Sequence, residues 1–166
     1  MFTTSPAGGD TKVIPARDNI PNILKERPQW VCWRYVARDG KPTKVPYSPS
    51  SFDRASSTDL MTWATFDDAM AALTMSDFDG IGFCFCSADP FVGIDLDDCR
   101  DPETGEIEEW AQKVVQSFAD AVHVEVSPSG RGIHLITRGV RKDGVKRGSI
   151  EIYGQDRFFT VSGVKP

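Results

Sequence analysis

The sequence predicts an α+β domain in which helices cover antiparallel sheet. Short runs rich in Val, Ile, Phe, Trp and Tyr recur between Gly, Pro, Asp and Ser turn signals. Residues 107–118 set Ile107, Trp110, Ala111, Val114, Val115 and Phe118 at helical spacing. No internal repeat or low-complexity tract interrupts this pattern.

The elements follow in chain order. Residues 1–18 are rich in Thr, Gly, Pro and Ala, lack periodicity and read as a flexible lead-in. Residues 21–27 suit a short helix that ends before Pro28. Residues 29–36 read as a strand, Asp39-Gly40 as a tight turn, and residues 44–47 as a short returning strand. Residues 48–59 form a polar loop around Pro49. Thr65 is a helix N-cap candidate, with Asp67 and Asp68 in the first turn and Phe66, Ala69, Met70 and Leu73 at helical spacing. Residues 80–86 and 91–97 are strands joined by a turn at 87–90. The helix at 107–118 follows, then strands at 122–126, 132–137, 149–153 and 158–161. A division at 79/80 separates an N-terminal α/β unit, residues 19–79, from a C-terminal unit, residues 80–166.

Composition narrows the class. A chain of 166 residues makes one domain or two tightly joined subdomains. With 40 % hydrophobic and 26 % charged residues it is globular rather than disordered. No apolar run approaches the ~18 residues of a membrane helix. The first ten residues lack a basic-then-apolar export pattern, so a cytoplasmic location is expected. The four cysteines, Cys32, Cys84, Cys86 and Cys99, lack the C-x₂-C spacing of zinc sites and read as reduced thiols. A net charge of −5 excludes DNA binding by bulk charge, though not by a local basic groove.

The most informative run is Phe91-Val92-Gly93-Ile94-Asp95-Leu96-Asp97-Asp98. Side chains alternate along a strand, so Val92, Ile94 and Leu96 share an apolar face, and Gly93, Asp95 and Asp97 share the other. Two carboxylates two residues apart repel each other, and a hard divalent cation relieves the repulsion with oxygen ligands. The alternative is an acidic strand tip ending in solvent. Residues 95–109 hold eight acids against Arg100 alone, and most of these read as a solvated loop and helix start.

Three further features bear on chemistry. Residues 127–134 join two strands through Ser129-Gly130-Arg131-Gly132, and Ile133 and Leu135 facing the core set His134 on the other face. Exposed N–H groups, a hydroxyl and a cation suit a triphosphate; a plain hairpin turn with a surface His is the alternative. Ile150-Glu151-Ile152 turns one carboxylate away from two apolar neighbours, so Glu151 joins Asp95 and Asp97 if the strands are adjacent. Residues 131–147 carry Arg131, Arg138, Arg141, Lys142, Lys146 and Arg147 against Asp143 alone, which suits either a nucleic-acid backbone or a solvated loop. A smaller group, Arg34, Lys41 and Lys44, lies near Trp30, Trp33 and Tyr35, where aromatics beside bases can stack nucleotides.

In this order the motifs resemble the archaeo-eukaryotic primase superfamily, in particular the primase-polymerase domains carried by phages and plasmids. They are Asp95-Leu96-Asp97, Ser129 through His134, and Ile150-Glu151, flanked by WVCWRY, GKPTKVPYSP and RFFTVSG. The likeness covers about residues 28–164. It implies an N-terminal α/β unit packed on an RRM-like antiparallel sheet, with the active site between them. It implies template-dependent transfer of nucleotides from dNTPs or NTPs to a primer 3′-hydroxyl or an initiating nucleotide. Asp95, Asp97 and Glu151 would hold two Mg²⁺ or Mn²⁺ ions. His134, Ser129, Gly130, Arg131 and Gly132 would meet the triphosphate, with Lys44 and Arg157 adding phosphate contacts. The basic residues Arg138, Arg141, Lys142, Lys146 and Arg147 would meet single-stranded template or primer. A replicative helicase, fused or in trans, is the implied partner, and the chain is expected to be the N-terminal part of a longer replication protein. The sequence has no zinc-binding cluster and no helicase region.

Two other classes compete. A rolling-circle initiator needs a metal-binding His pair, and His123 and His134 do not form His-x-His. A non-catalytic single-stranded-DNA or nucleotide-binding module has no need of three converging carboxylates.

Overall fold

The computed structural model describes residues 12–166 and contains two antiparallel sheets and three short α-helices. The first sheet has the order β2-β1-β3-β9, built from β1 (Trp30–Arg38), β2 (Lys41–Tyr47), β3 (Gly80–Phe85) and β9 (Arg157–Val161). The second has the order β5-β6-β4-β8-β7, built from β4 (Phe91–Leu96), β5 (His123–Val126), β6 (Ile133–Arg138), β7 (Val145–Arg147) and β8 (Ile150–Tyr153). The helices are α1 (Asn22–Lys25), α2 (Phe66–Met75) and α3 (Glu109–Ser117). This is an α+β architecture, as expected.

Alternation decides what each face covers. Strand β3 is buried along its whole length between β1 and β9, which is why it reads as a continuous apolar run rather than an alternating one. Helix α2 lays Phe66, Ala69, Ala72 and Leu73 on the first core, with Trp30, Phe83, Phe85, Phe91 and Phe159. Its start is capped as expected: the Thr65 hydroxyl accepts the Asp68 N–H at 3.1 Å, a contact worth about 1 kcal/mol. Helix α3 covers the outer face of the second sheet, where Ala111 packs with Ile94, Leu96, Ile133 and Leu135. The opposite face of that sheet looks toward the first sheet, and Phe159 of β9 stacks on His134 of β6 with centroids 4.8 Å apart.

Several expectations are revised. The lead-in at 1–18 falls partly outside the described residues; from residue 12 onward the segment is docked. Lys12 Nζ donates to the carbonyls of Leu73 and Ser76, and Ala16 N–H to Ser162 O. The division at 79/80 does not follow the sheets, because β3 and β9 both hydrogen-bond in the sheet founded by β1. The helix at 107–118 begins only at Glu109, because Ile107 forms a bridge with Arg100. The basic segment 131–147 is not one loop: Val145–Arg147 pairs with β8 as an edge strand. No helix among the described residues is long and apolar enough to cross a membrane.

Candidate active site

Register brings five polar side chains into one row across the second sheet. Glu125 lies opposite His134, His134 opposite Asp95, Asp95 opposite Glu151, and Glu151 opposite Lys146. Glu125, His134, Asp95 and Glu151 each sit between apolar neighbours that point to the α3 side, while the opposite face carries these polar side chains beside Phe91 and Ile136, which join the first core. Asp97 follows β4 directly, with its N–H bonded to Ser149 O at 2.8 Å.

Asp95 is three-quarters covered and its carboxyl is raised above the usual range. Burial is the main cause, and Asp97 and Glu151 add repulsion, while His134 and Lys44 oppose both. His134 Nε2 lies 3.5 Å from Asp95 Oδ1. Lys44 reaches this cleft from the first sheet, with Nζ 3.4 Å from Thr160 Oγ1 and over the Trp33 ring. Burial lowers its affinity for the proton, and Asp95 and Asp97 partly restore it.

Glu151 behaves differently. Its carboxylate accepts from Lys146 Nζ and from the Tyr153 hydroxyl, and these bonds hold it below the usual range. Arg157 lies over the Tyr153 ring at 4.9 Å, so it approaches the site through Tyr153. Among the described residues no group of three His, Cys, Asp or Glu side chains is arranged to hold a metal ion. The Glu151 carboxylate is engaged by Lys146 and Tyr153 rather than by Asp95 or Asp97. What remains is the Asp95–Asp97 pair: two hard oxygen donors, Asp95 partly buried and Asp97 exposed, whose charges repel. That donor set fits Mg²⁺ or Mn²⁺, since Mg²⁺ sites commonly use one or two carboxylates and complete the shell with water and substrate phosphate.

The glycine turn begins β6. Gly130 adopts φ +75°, and Ser129 Oγ lies 2.9 Å from Ser127 Oγ while accepting the Arg131 N–H at 3.3 Å. A Cβ at Gly132 would stand 2.7 Å from Leu96 O, so the need for glycine there comes from β4 packing rather than from a ligand. The Arg131 side chain is exposed and lines a cleft of about 360 Å³ with Asp98, Arg100 and Asp101.

The expected backbone-contact residues are dispersed. Arg138 is exposed at the far end of β6 from the glycine turn, opposite Phe91. Arg141 Nε is bonded to Asp143 O, and Lys142 is exposed beside it. Arg147 is exposed on β7, and Lys146 is committed to Glu151.

Sequence reasoning missed Glu125. It is 1 % exposed and sits between the two histidines, with Oε2 2.9 Å from His123 Nε2 and Oε1 3.2 Å from His134 Nδ1. Burial opposes its charge, but the hydrogen bonds from His123 and His134 outweigh burial and pull its carboxyl down to about 2. The signal was present: Val122, Val124 and Val126 alternate with His123 and Glu125, the same pattern that singled out Glu151.

No family model matches the chain. It is similar to a protein named DNA Primase-polymerase of Nitratiruptor phage NrS-1, with 36 % identity over 153 residues. The match covers 87 % of this chain and 20 % of that protein, so the chain spans about a fifth of its relative's length.

Proposed function

We propose that this chain is the nucleotidyl-transfer domain of a phage-type DNA primase-polymerase, of the archaeo-eukaryotic primase superfamily. The observation that carries the reading is the row His134–Asp95–Glu151, joined by Asp97, on the face of the second sheet opposite α3. The phage relative supports it across most of the chain.

In this reading Asp95 and Asp97 would hold the divalent cation, and Glu151, freed of Lys146, would be the third carboxylate within the same row. The chemistry that Mg²⁺ or Mn²⁺ would supply there is activation of the primer 3′-hydroxyl and neutralisation of charge on the departing pyrophosphate. The chain's own groups bind and orient. Lys44 brings a desolvated ammonium to the acid pair from the opposite sheet, where it meets triphosphate oxygens. His134 presents Nε2 beside Asp95, on the side of the cleft where charge would spread over the phosphoryl oxygens. Ser129 and Arg131 offer a hydroxyl and a cation from the exposed glycine turn. Arg138, Arg141, Lys142 and Arg147 offer a dispersed basic margin for single-stranded template and primer.

The test is incorporation of labelled dNTP on a primed single-stranded template, with Mg²⁺ or Mn²⁺, beside the Asp95→Ala/Asp97→Ala chain. Extension by the parent chain only is expected. Equal extension by both, or none by the folded parent, would sink the reading.

A further inference from the structure

The Glu125 carboxylate divides its acceptors unequally. Oε2 receives three N–H groups: His123 Nε2 at 2.9 Å, Ser162 N at 3.1 Å and Gly163 N at 2.7 Å. Oε1 has one partner, His134 Nδ1 at 3.2 Å. The two backbone donors come from the segment after β9, so this carboxylate is fastened to both sheets at once. An acceptor fixed by backbone N–H groups cannot turn to follow a moving partner. The His134 ring is held on its flat side as well, stacked on Phe159 at an interplanar angle of 30°. Its Cβ is set by pairing with Asp95 and Glu125 on either side. The remaining freedom is the ring flip that would exchange Nδ1 with Cδ2 and Nε2 with Cε1, and Oε1 opposes it by holding Nδ1.

We propose that Glu125 is a positioning residue for His134: it keeps the proton on Nδ1 and the ring turned so that Nε2 faces Asp95 and the cleft. The inference rests on the nucleotidyl-transfer reading for its consequence, and on the Glu125–His134 geometry alone for its content. Partners of this kind fix the tautomer and orientation of a working histidine, and their removal typically costs about 10–100-fold in the function it serves.

The experiment uses the full chain with ¹⁵N-labelled histidine. The chain has two histidines, so the ring nitrogens give two sets of signals, and His134→Gln identifies one of them. A protonated Nδ1 on His134 in the parent is expected. Glu125→Gln is expected to move that signal toward the unprotonated form and to lower kcat/KM for dNTP by about 10–100-fold. A purely structural Glu125 would lower the melting temperature while leaving both the ring signal and kcat/KM of the folded variant unchanged. That result, or an unprotonated Nδ1 in the parent, overturns the proposal. If Glu125→Gln does not fold, the parent spectrum still decides. A parent that incorporates no dNTP removes the nucleotidyl-transfer reading, and the ring signal judges the positioning role separately.

Discussion

Asp95 stands directly opposite Glu151 in adjacent strands, yet the Glu151 carboxylate is bonded to Lys146 and Tyr153 instead. The side chain that would complete a set of acidic ligands is held by an internal cation. Lys146 is mostly exposed and Glu151 mostly covered, so Lys146 is the partner free to leave. Lys146→Met removes the competitor without opening the core. The expected outcome is a several-fold lower half-saturating Mn²⁺ concentration in dNTP incorporation, with an unchanged melting temperature. A higher Mn²⁺ requirement would mean that Lys146 assists the site rather than occupying Glu151.

Asp95 is charged at a cost. Burial and two neighbouring carboxylates oppose its ionisation, and only His134 and Lys44 favour it. Asp95→Asn keeps the shape and removes the charge. Incorporation is expected to fall by about 10³-fold, the scale of a few kcal/mol of transition-state stabilisation. Thermal stability is expected to rise, the usual exchange where a strained polar site serves function. Calorimetry beside a primer-extension assay checks both; a variant both less stable and fully active would contradict the assignment.

Much of this site is written in strand parity. The alternation of Val92, Ile94 and Leu96 with Asp95, and of Ile150 and Ile152 with Glu151, fixes which side chains share a face before any pairing is known. Pairing itself was not legible. Nothing local in residues 157–161 says that β9 crosses back to join β3, and that crossing brings Phe159, Thr160 and the Ser162 and Gly163 amides to the site. The parity of Glu125 was legible, but its distant partners at positions 134, 162 and 163 were not, for the same reason. Strand β7 was hidden by composition: Val145-Lys146-Arg147 has one apolar residue, and it forms an edge strand because β8 offers an unpaired side.

Glu125 also gives the fold a pH dependence of defined sign. Its carboxyl titrates near 2 in the folded chain against 4.5 ordinarily, with burial outweighed by the two histidine hydrogen bonds. A depressed folded value means that the unfolded chain takes up the proton first as pH falls. The stabilisation is complete above about 4.5 and is lost as pH drops toward 2. Urea midpoints measured across that window should fall steeply for the parent and more shallowly for Glu125→Gln, which should also lie below the parent at neutral pH. Parallel curves would show that other carboxylates carry the acid sensitivity.

Gly93 tests how far the contact between the sheets controls the site. It lies on the Asp95 face of β4, where a Cβ would stand 2.6 Å from the Phe159 ring and 2.7 Å from Phe85. Neither ring can retreat freely, because Phe85 and Phe159 pack edge to face at 5.0 Å inside the first core. Gly93→Ala therefore overpacks the interface, at an expected cost of about 1–3 kcal/mol in urea unfolding. The displaced ring is the one stacked on His134, so kcat/KM for dNTP should fall even where the variant is fully folded. Phe159→Leu makes room at the same contact but removes the stack. In the double variant stability should recover by more than the two single effects predict, because the residues touch. Activity should not recover, because His134 then lacks the flat surface beneath it. Additive losses in stability would mean that the strain is relieved elsewhere, and restored activity would mean that the Phe159 ring does not hold His134 in place.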